Sequence, residues 1–163
     1  MKCSLCNEDS YFYSTYLKQW LCKKHFSKMI ERRIRRNILN NKFKSKDGYE
    51  ILKSTPAYKV LEKLFNKKGG IKLDSYILED FALEVMKYFL NGENPVIKIS
   101  KEDYFNPLYN VSLEELEAYC KLKNIELNIQ YNDKILDFLN SMEKRRPGSK
   151  ISVVESGRIL GII

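Results

Sequence analysis

The spacing of cysteine and histidine near the start of the chain constrains the fold more than any other feature. Two pairs of residues, each with two residues between its members, are separated by fifteen residues; they are Cys3, Cys6, Cys22 and His25. They include three of the four cysteines and the single histidine of the chain. Two such pairs are typical of one tetrahedral zinc ion. The spacing predicts a structural zinc site, because four protein ligands leave no open position for a catalytic water.

Two other interpretations use the same residues. The cysteines could be small buried apolar residues or form disulfides, with His25 incidental. A disulfide framework suits a short secreted chain, but we expect no signal peptide, since the sequence runs from Met1 straight into the motif. Cys120 also leaves an odd number for pairing. We therefore favour zinc, and the reduced thiols predict a cytoplasmic protein.

Positive charge is concentrated in the same part of the chain. Residues 1–48 hold 12 Lys and Arg against 4 Asp and Glu, whereas residues 49–163 hold 17 of each kind. A localised basic region is typical of a protein with a polyanion partner, because each neutralised phosphate releases counterions. We divide the chain into a zinc module with a basic helix, 1–48, and a neutral globular domain, 49–163. No apolar run approaches the roughly 20 residues of a membrane span, so we expect no membrane partner.

A helix from Lys23 to about Asn40 is predicted to carry this charge. Apolar residues at helical spacing form one stripe: Phe26, Met29, Ile30, Ile34 and Ile38. Five basic residues lie away from it: Lys24, Lys28, Arg32, Arg35 and Arg36. These five and Lys23 are the residues expected to contact phosphates. A solvated surface face is the plain alternative. Since only Glu31 offers a counter-charge between Lys23 and Arg36, we favour contact with RNA by shape and charge.

The segment before this helix is rich in aromatic residues. Residues 11–16 and the Trp20-Leu21 pair predict a short hairpin that closes over the metal. Aromatic rings here could stack on nucleobases, but so small a module needs them as its own core. We therefore expect Trp20 to be buried.

The rest of the chain alternates helices with short strands. The polar residues 40–48 predict a linker. Pro56 is expected to open a helix capped by Ser54 or Thr55 and stopped at Gly69-Gly70. Further helices are predicted at 76–91, at 112–123, from a cap at Asn132 or Asp133 to 144, and in the last stretch to 160 after the Pro147-Gly148 turn. Strands are predicted at 71–73, 96–99 and 126–130. This order indicates an α+β, helix-rich fold with a reduced α/β layer.

Several segments, in this order, carry a family resemblance. They are the zinc motif with its basic helix and three later stretches, residues 78–92, residues 106–119 with Asn124-Ile125, and residues 139–150. They resemble the zinc finger, the Leu-Asp-Asp-Glu-Ala helix, the Pro-Leu-Tyr segment and the Pro-Gly-Thr-Lys stretch of the tRNA 2-thiouridine synthetases of the TtuA type, relatives of TtcA. The resemblance implies that residues 49–163 are a remnant of an adenine nucleotide alpha hydrolase-like domain.

The chain departs from this family where the family carries its chemistry. The resemblance implies ATP activation on a Ser-Gly-Gly-x-Asp-Ser loop, which is absent; Gly69-Gly70 with Asp74-Ser75 has the wrong spacing. The resemblance also implies cysteines that hold an iron–sulfur cluster, but the sequence has no cysteine near residues 130–132 and no second Cys-x-x-Cys pair. The second zinc ribbon of the family is absent as well. We expect one structural zinc, no iron–sulfur cluster and no ATP, with Cys120 a buried thiol.

Three functions are compatible with these observations. The favoured one is a non-catalytic accessory protein, a pseudoenzyme that binds tRNA or another RNA, as a homodimer or beside an intact thiolation paralogue. A zinc-scaffolded protein-interaction module is the alternative, and its binding would survive high salt. A residual ATP-dependent sulfur-transfer enzyme using Cys120 is less favoured. Its candidate carboxylates are scattered and expected at the surface: Asp74, Asp80 and Asp103.

Overall fold

A computed structural model of the chain describes residues 1–15, 17–43, 45–65 and 69–163. The helices are α1 (Lys23–Asn40), α2 (Tyr58–Leu64), α3 (Leu78–Asn91), α4 (Leu113–Lys123), α5 (Lys134–Arg145) and α6 (Ser149–Ile159). The strands are β1 (Phe12–Ser14), β2 (Gln19–Leu21), β3 (Tyr49–Ile51), β4 (Ile71–Leu73) and β5 (Tyr104–Phe105). The predicted helix-rich mixture of helices and strands is confirmed. Tyr16 of the predicted hairpin, Lys44 of the predicted linker and residues 66–68 lie outside the described ranges.

Several helices begin and end where the sequence places their caps. Ser112 and Glu115 form a capping box at α4, in which each side chain accepts the other's amide proton at 3.3 Å. Asp133 accepts a hydrogen bond from the amide of the second residue of α5 at 2.8 Å. Gly92 ends α3 with a φ of 71°, the left-handed conformation that glycine adopts without steric cost. Caps therefore fix these helix boundaries locally.

Two small sheets accompany the helices. β1 and β2 form the predicted antiparallel hairpin, which lies over the start of α1. β3, β4 and β5 form a parallel sheet in chain order, with β4 in the centre. Backbone hydrogen bonds from Leu52 N–H to the Leu73 carbonyl and from Asp74 N–H to the Phe105 carbonyl, both 2.9 Å, extend the pairing to the carboxyl ends of the strands.

Two of the three predicted strands do not form. Residues 96–99 and 126–130 belong to no named strand of the described chain. Ile97 and Ile99 are buried, whereas Val96 is 85% exposed. The first of these segments therefore packs on the core through its two isoleucines without pairing as a strand. β3 and β5, which the sequence did not predict, complete the sheet with β4 instead. The predicted linker is irregular, but Phe43 within it stacks on Phe105 with ring centroids 5.0 Å apart.

One hydrophobic core runs through the whole described chain. The buried stripe of α1, which includes Phe26 and Ile34, belongs to the same cluster as Phe81 of α3 and Leu116 of α4. α1 packs on α4, and α3 packs on α5 and α6. The first helix is therefore built into the body of the protein. Within the described ranges, no helix combines the length and the apolar character that crossing a membrane requires.

Gly157 allows the close contact between α3 and α6. A Cβ atom at this position would collide with the side chain of Val85. The glycine that weakens the helical pattern of α6 in sequence is thus the residue that lets this helix approach its neighbour.

Candidate metal centre and basic face

The predicted metal ligands converge beside the hairpin. The ligand atoms of Cys3, Cys6, Cys22 and His25 all lie within 4.8 Å of one another. His25 Nδ1 is 3.5 Å from the sulfurs of Cys3 and Cys6 and 3.4 Å from that of Cys22. A tetrahedral zinc ion bonded at about 2.3 Å to sulfur and about 2.0 Å to nitrogen needs ligand separations of roughly 3.5–3.8 Å. These four residues could therefore hold one metal ion.

The sulfur atoms are not disulfide-bonded. Cys6 Sγ and Cys22 Sγ are 3.7 Å apart, far beyond the roughly 2.05 Å of a disulfide, and all four cysteines are free thiols. The disulfide alternative is therefore not realised.

Backbone amides lower the pKa of one thiol of this cluster. The Leu5 amide lies 3.4 Å from Cys3 Sγ, to which it donates, and Cys22 is the N-cap residue of α1. Burial raises the pKa of the Cys3 thiol, but the hydrogen bonds from the Leu5 and Cys22 backbones outweigh it and lower the pKa to about 6. The thiolate is the form that binds a metal ion.

The predicted phosphate contacts all lie on the exposed surface of α1. All six are solvent-exposed: Lys23, Lys24, Lys28, Arg32, Arg35 and Arg36. We call these six residues the basic face. Arg35 also has a structural contact, since its Nη2 donates to the Leu64 carbonyl at 3.1 Å and its guanidinium lies 5.3 Å from the Phe65 ring centroid. Contact between the basic face and RNA stays a prediction.

Glu31 does not neutralise the basic face. Its Oε1 accepts hydrogen bonds from Lys123 at 2.9 Å and from the Tyr119 hydroxyl at 3.0 Å, both on α4. Burial raises the pKa of Glu31, but these partners outweigh it and lower the pKa. Glu31, the single acidic residue between Lys23 and Arg36, thus binds α4 and not the basic face.

Arg33 is a cation of α1 with a structural contact that sequence reasoning did not predict. It faces α4, where both terminal nitrogens bind the Glu115 carboxylate. Helical spacing was the available signal, because Arg33 follows the buried Phe26 and Ile30 by seven and three residues.

Trp20 is not buried, so that prediction was wrong. Trp20 is 36% exposed and Tyr13, its cross-strand partner, is 40% exposed, with their rings 5.0 Å apart. The inner side of the hairpin is filled by Phe12, which stacks on Phe26 at 4.5 Å. Because side chains alternate along a strand, Phe12 and Leu21 point inward and their neighbours point outward.

The loop after β3 lies at the edge where nucleotides bind in open parallel α/β sheets. The Thr55 amide donates to Ser75 Oγ at 3.1 Å, and Thr55 Oγ1 donates to the Ser75 carbonyl at 2.7 Å. The Ala57 amide donates to Thr55 Oγ1 at 3.3 Å. The helix itself begins at Tyr58 with Ala57 as its N-cap and no side-chain cap, so the predicted cap by Ser54 or Thr55 is wrong. In a phosphate loop, backbone amides donate to the ligand. The Thr55 and Ala57 amides instead donate to side chains of the protein.

Two of the three acidic candidates are not surface residues. Asp74 is 7% exposed and accepts the Ser75 amide at 2.8 Å. Asp80 accepts the Ile77 amide at 2.8 Å, and burial raises its pKa. Asp103 is exposed, as expected, and forms an ion pair with Lys72. Buried Asp74 and half-buried Asp80 both order the backbone around them.

Cys120 is buried, as predicted. It is 2% exposed, and burial raises the pKa of its thiol to about 11. A thiol in such surroundings is an inert structural residue rather than a nucleophile.

The segments that carry the family resemblance meet in space. Lys150, in the stretch 147–150, pairs with Glu79 of α3 at 2.9 Å, with side chains 9% and 3% exposed. Glu79 Oε2 also accepts the Leu113 amide at the start of α4 at 2.8 Å. One buried ion pair thus joins α3, α4 and α6.

The comparisons with known proteins agree with this architecture. No protein-family model matches the chain. It is 38% identical over 148 residues to a tRNA-5-methyluridine(54) 2-sulfurtransferase of Pyrococcus horikoshii, covering 90% of this chain and 41% of that protein. It is 24% identical over 168 residues to a probable sulfurtransferase of Methanocaldococcus jannaschii, covering 100% of this chain and 42% of that protein. The chain spans about two fifths of the length of these curated relatives.

A solved structure shares the fold. The U34-tRNA thiolase NcsA from Methanococcus maripaludis, determined with its 4Fe–4S cluster, superposes with a TM-score of 0.79. The match covers 100% of this chain and 88% of that chain at 15% sequence identity. At this identity the likeness establishes a common fold.

Proposed function

We propose that this chain, a relative of the TtuA/TtcA-type tRNA 2-thiouridine synthetases, is a zinc-binding, non-catalytic accessory protein that binds tRNA or another RNA. The observation that carries this proposal is the basic face, six exposed cations on the helix that also holds His25. Phosphate groups are the natural ligands of such a surface. In this proposal the protein is a cytoplasmic pseudoenzyme, acting as a homodimer or beside an intact thiolation paralogue.

Zinc is the metal that we propose for the Cys3, Cys6, Cys22 and His25 cluster. Separations of 3.4–3.7 Å between ligand atoms fit a single tetrahedral ion. An iron–sulfur cluster is ordinarily held by cysteine thiolates, whereas this set includes a histidine. A zinc ion here would join the loop 3–6 to the start of α1 and have a structural role.

Two features support a role without catalysis. The Thr55 and Ala57 amides bind Ser75 and Thr55 within the protein, where a phosphate loop would direct its amides outward. Cys120, the one cysteine outside the metal cluster, is buried with a pKa raised to about 11, which disfavours sulfur transfer through its thiolate. On this proposal, residues 49–163 are a structural remnant of the family's nucleotide-binding domain.

A protein-interaction module is the second candidate. Exposed apolar residues on α3 and α6 favour it, since Phe89 is 53% exposed and Ile159 is 76% exposed. This surface lies on different helices from the basic face, so the two functions are separable by mutation.

The test is binding of bulk tRNA to purified, metal-quantified protein across a salt series. The variant Arg32→Glu/Arg36→Glu reverses charge on the basic face and spares Arg35 with its structural contacts. Lys144→Glu/Arg145→Glu makes the same charge change at exposed positions of α5. We expect affinity to fall steeply with salt and the α1 variant to weaken binding by at least about tenfold relative to the α5 variant. Equal binding by both variants would overturn the proposal.

A further inference from the structure

The outer side of the β1–β2 hairpin exposes two aromatic rings side by side. Tyr13 and Trp20 are direct cross-strand partners, with ring centroids 5.0 Å apart and planes inclined at 51°. They are 40% and 36% exposed. The hairpin fills its inner side with other residues, Phe12 stacked on Phe26 and the buried Leu21. The outer pair is therefore not needed to close the core.

The chain segment that carries Trp20 is positively charged. Lys18, Lys23 and Lys24 are all exposed, and the segment 18–24 contains no carboxylate. Trp20 lies within four residues of each of these lysines along the chain. A ligand that suits both features has a flat π-face and a negative charge. A nucleotide has both, because its base stacks on aromatic rings and its phosphate attracts lysine.

We propose that Tyr13 and Trp20 form a stacking platform for an unpaired base of the RNA that the basic face binds. This inference rests on the proposed function and narrows its ligand. Bases inside an A-form duplex are stacked on one another, whereas bases in loops, bulges and single strands are free to stack on a protein ring. The platform therefore selects single-stranded or looped RNA over continuous duplex.

Trp20 is the only tryptophan in the chain, so its fluorescence reports directly on the platform. The probes are an oligouridylate, an oligonucleotide of the same length with abasic riboses, and a blunt RNA duplex. All carry phosphates, but only the oligouridylate offers unpaired bases. We expect the oligouridylate to quench Trp20 fluorescence, and the abasic strand and the duplex to leave it nearly unchanged at equal occupancy.

Affinity provides the second measurement. Trp20→Leu and Tyr13→Leu keep apolar residues in the hairpin but remove the rings, and Phe89→Leu is the matched change of an exposed ring on α3. By anisotropy of labelled oligouridylate, we expect each hairpin variant to bind about tenfold more weakly and Phe89→Leu to bind like the parent. Metal content and the far-ultraviolet circular dichroism spectrum of each variant establish that it is folded.

The outcomes separate this inference from the proposed function. If oligouridylate binds without quenching Trp20, and Trp20→Leu binds as tightly as the parent, the platform is overturned while RNA binding stands. If neither tRNA nor oligouridylate binds, the proposed function fails and the platform fails with it.

Discussion

Arg33 on α1 and Glu115 on α4 form a bidentate ion pair inside the protein. Arg33 Nη1 is 2.6 Å from Glu115 Oε2, and Nη2 is 3.0 Å from Oε1. Their side chains are only 13% and 10% exposed. One turn further along α1, Asn37 donates to the Pro107 carbonyl and to Asn110 Oδ1, both at 2.8 Å. The helix that carries the basic face is therefore fixed to α4 and its preceding loop by directional contacts.

Arg33→Ala should destabilise the fold strongly. The substitution leaves the Glu115 carboxylate largely buried without its cation, which typically costs about 3–5 kcal/mol. Urea unfolding measures the change in the free energy of unfolding. Arg32→Ala is the matched control, one residue away and exposed, and should change the free energy by no more than about 0.5 kcal/mol. Equal effects of the two substitutions would show that the ion pair contributes little.

Loss of the metal should unfold the hairpin. We expect one zinc per chain by elemental analysis, and none in Cys22→Ser, because a structural site needs all four ligands. Chelation should lower the melting temperature and increase the exposure of Trp20. Cys120→Ser is the control that removes a distant thiol and should keep its zinc. Iron in the purified protein, with an iron–sulfur absorption band, would contradict the assignment.

Cys120 should resist thiol reagents in the folded protein. With a pKa raised to about 11 by burial, roughly one molecule in a thousand carries the thiolate at pH 8. We expect chelation to release the three thiols of the metal cluster for reaction with a disulfide reagent, while the fourth reacts only in urea. Cys120→Ser should lose that last thiol. Rapid reaction of Cys120 in the native protein would revive the sulfur-transfer alternative.

Lys150→Met should make stability depend on pH. Burial raises the pKa of Glu79 and Lys150 opposes the rise, so removal of the lysine raises that pKa further. A carboxyl group whose pKa is raised by folding does not destabilise the protein below its unfolded-state pKa of about 4.3, because it is then protonated in both states. Stability is lost as the pH rises through the pKa of the folded state. We expect destabilisation of about 3–5 kcal/mol at pH 8 that shrinks on acidification.

Glu79→Gln/Lys150→Met is the control for that experiment. The glutamine keeps an acceptor for the Leu113 amide but cannot titrate. Unfolding measured from pH 5 to 8 should show a slope for Lys150→Met that the double variant lacks. The same slope in both variants would place the titrating group elsewhere.

The sequence predicted the helices better than the strands. α1 and α4 are long enough for apolar periodicity to repeat, and caps such as Ser112 and Gly92 mark helix ends by local hydrogen bonding or a left-handed φ. The strands of the parallel sheet have only two or three residues, too few for an alternating pattern to be recognised. Strands this short form because neighbouring strands pair with them, and that pairing depends on the tertiary structure.

The metal cluster was predicted from spacing alone, because all its ligands lie within 23 consecutive residues of the chain. The orientation of Trp20 and Arg33 could not be predicted in the same way. Whether a ring on a three-residue strand points inward depends on register, and Phe12 took the inner position. The contact of Arg33 could not be predicted because its partner, Glu115, lies 82 residues away in the sequence.

The position of α1 has a consequence for any attempt to dissect the chain. Its apolar stripe packs under the hairpin through Phe26, and the same helix binds α4 through Arg33. A fragment cut at residue 48 would leave this stripe uncovered along much of its length, and the complementary fragment would lose the partner of Glu115. We expect the two pieces to be insoluble when produced separately and to reconstitute when co-expressed, as complementing halves of a single folding unit.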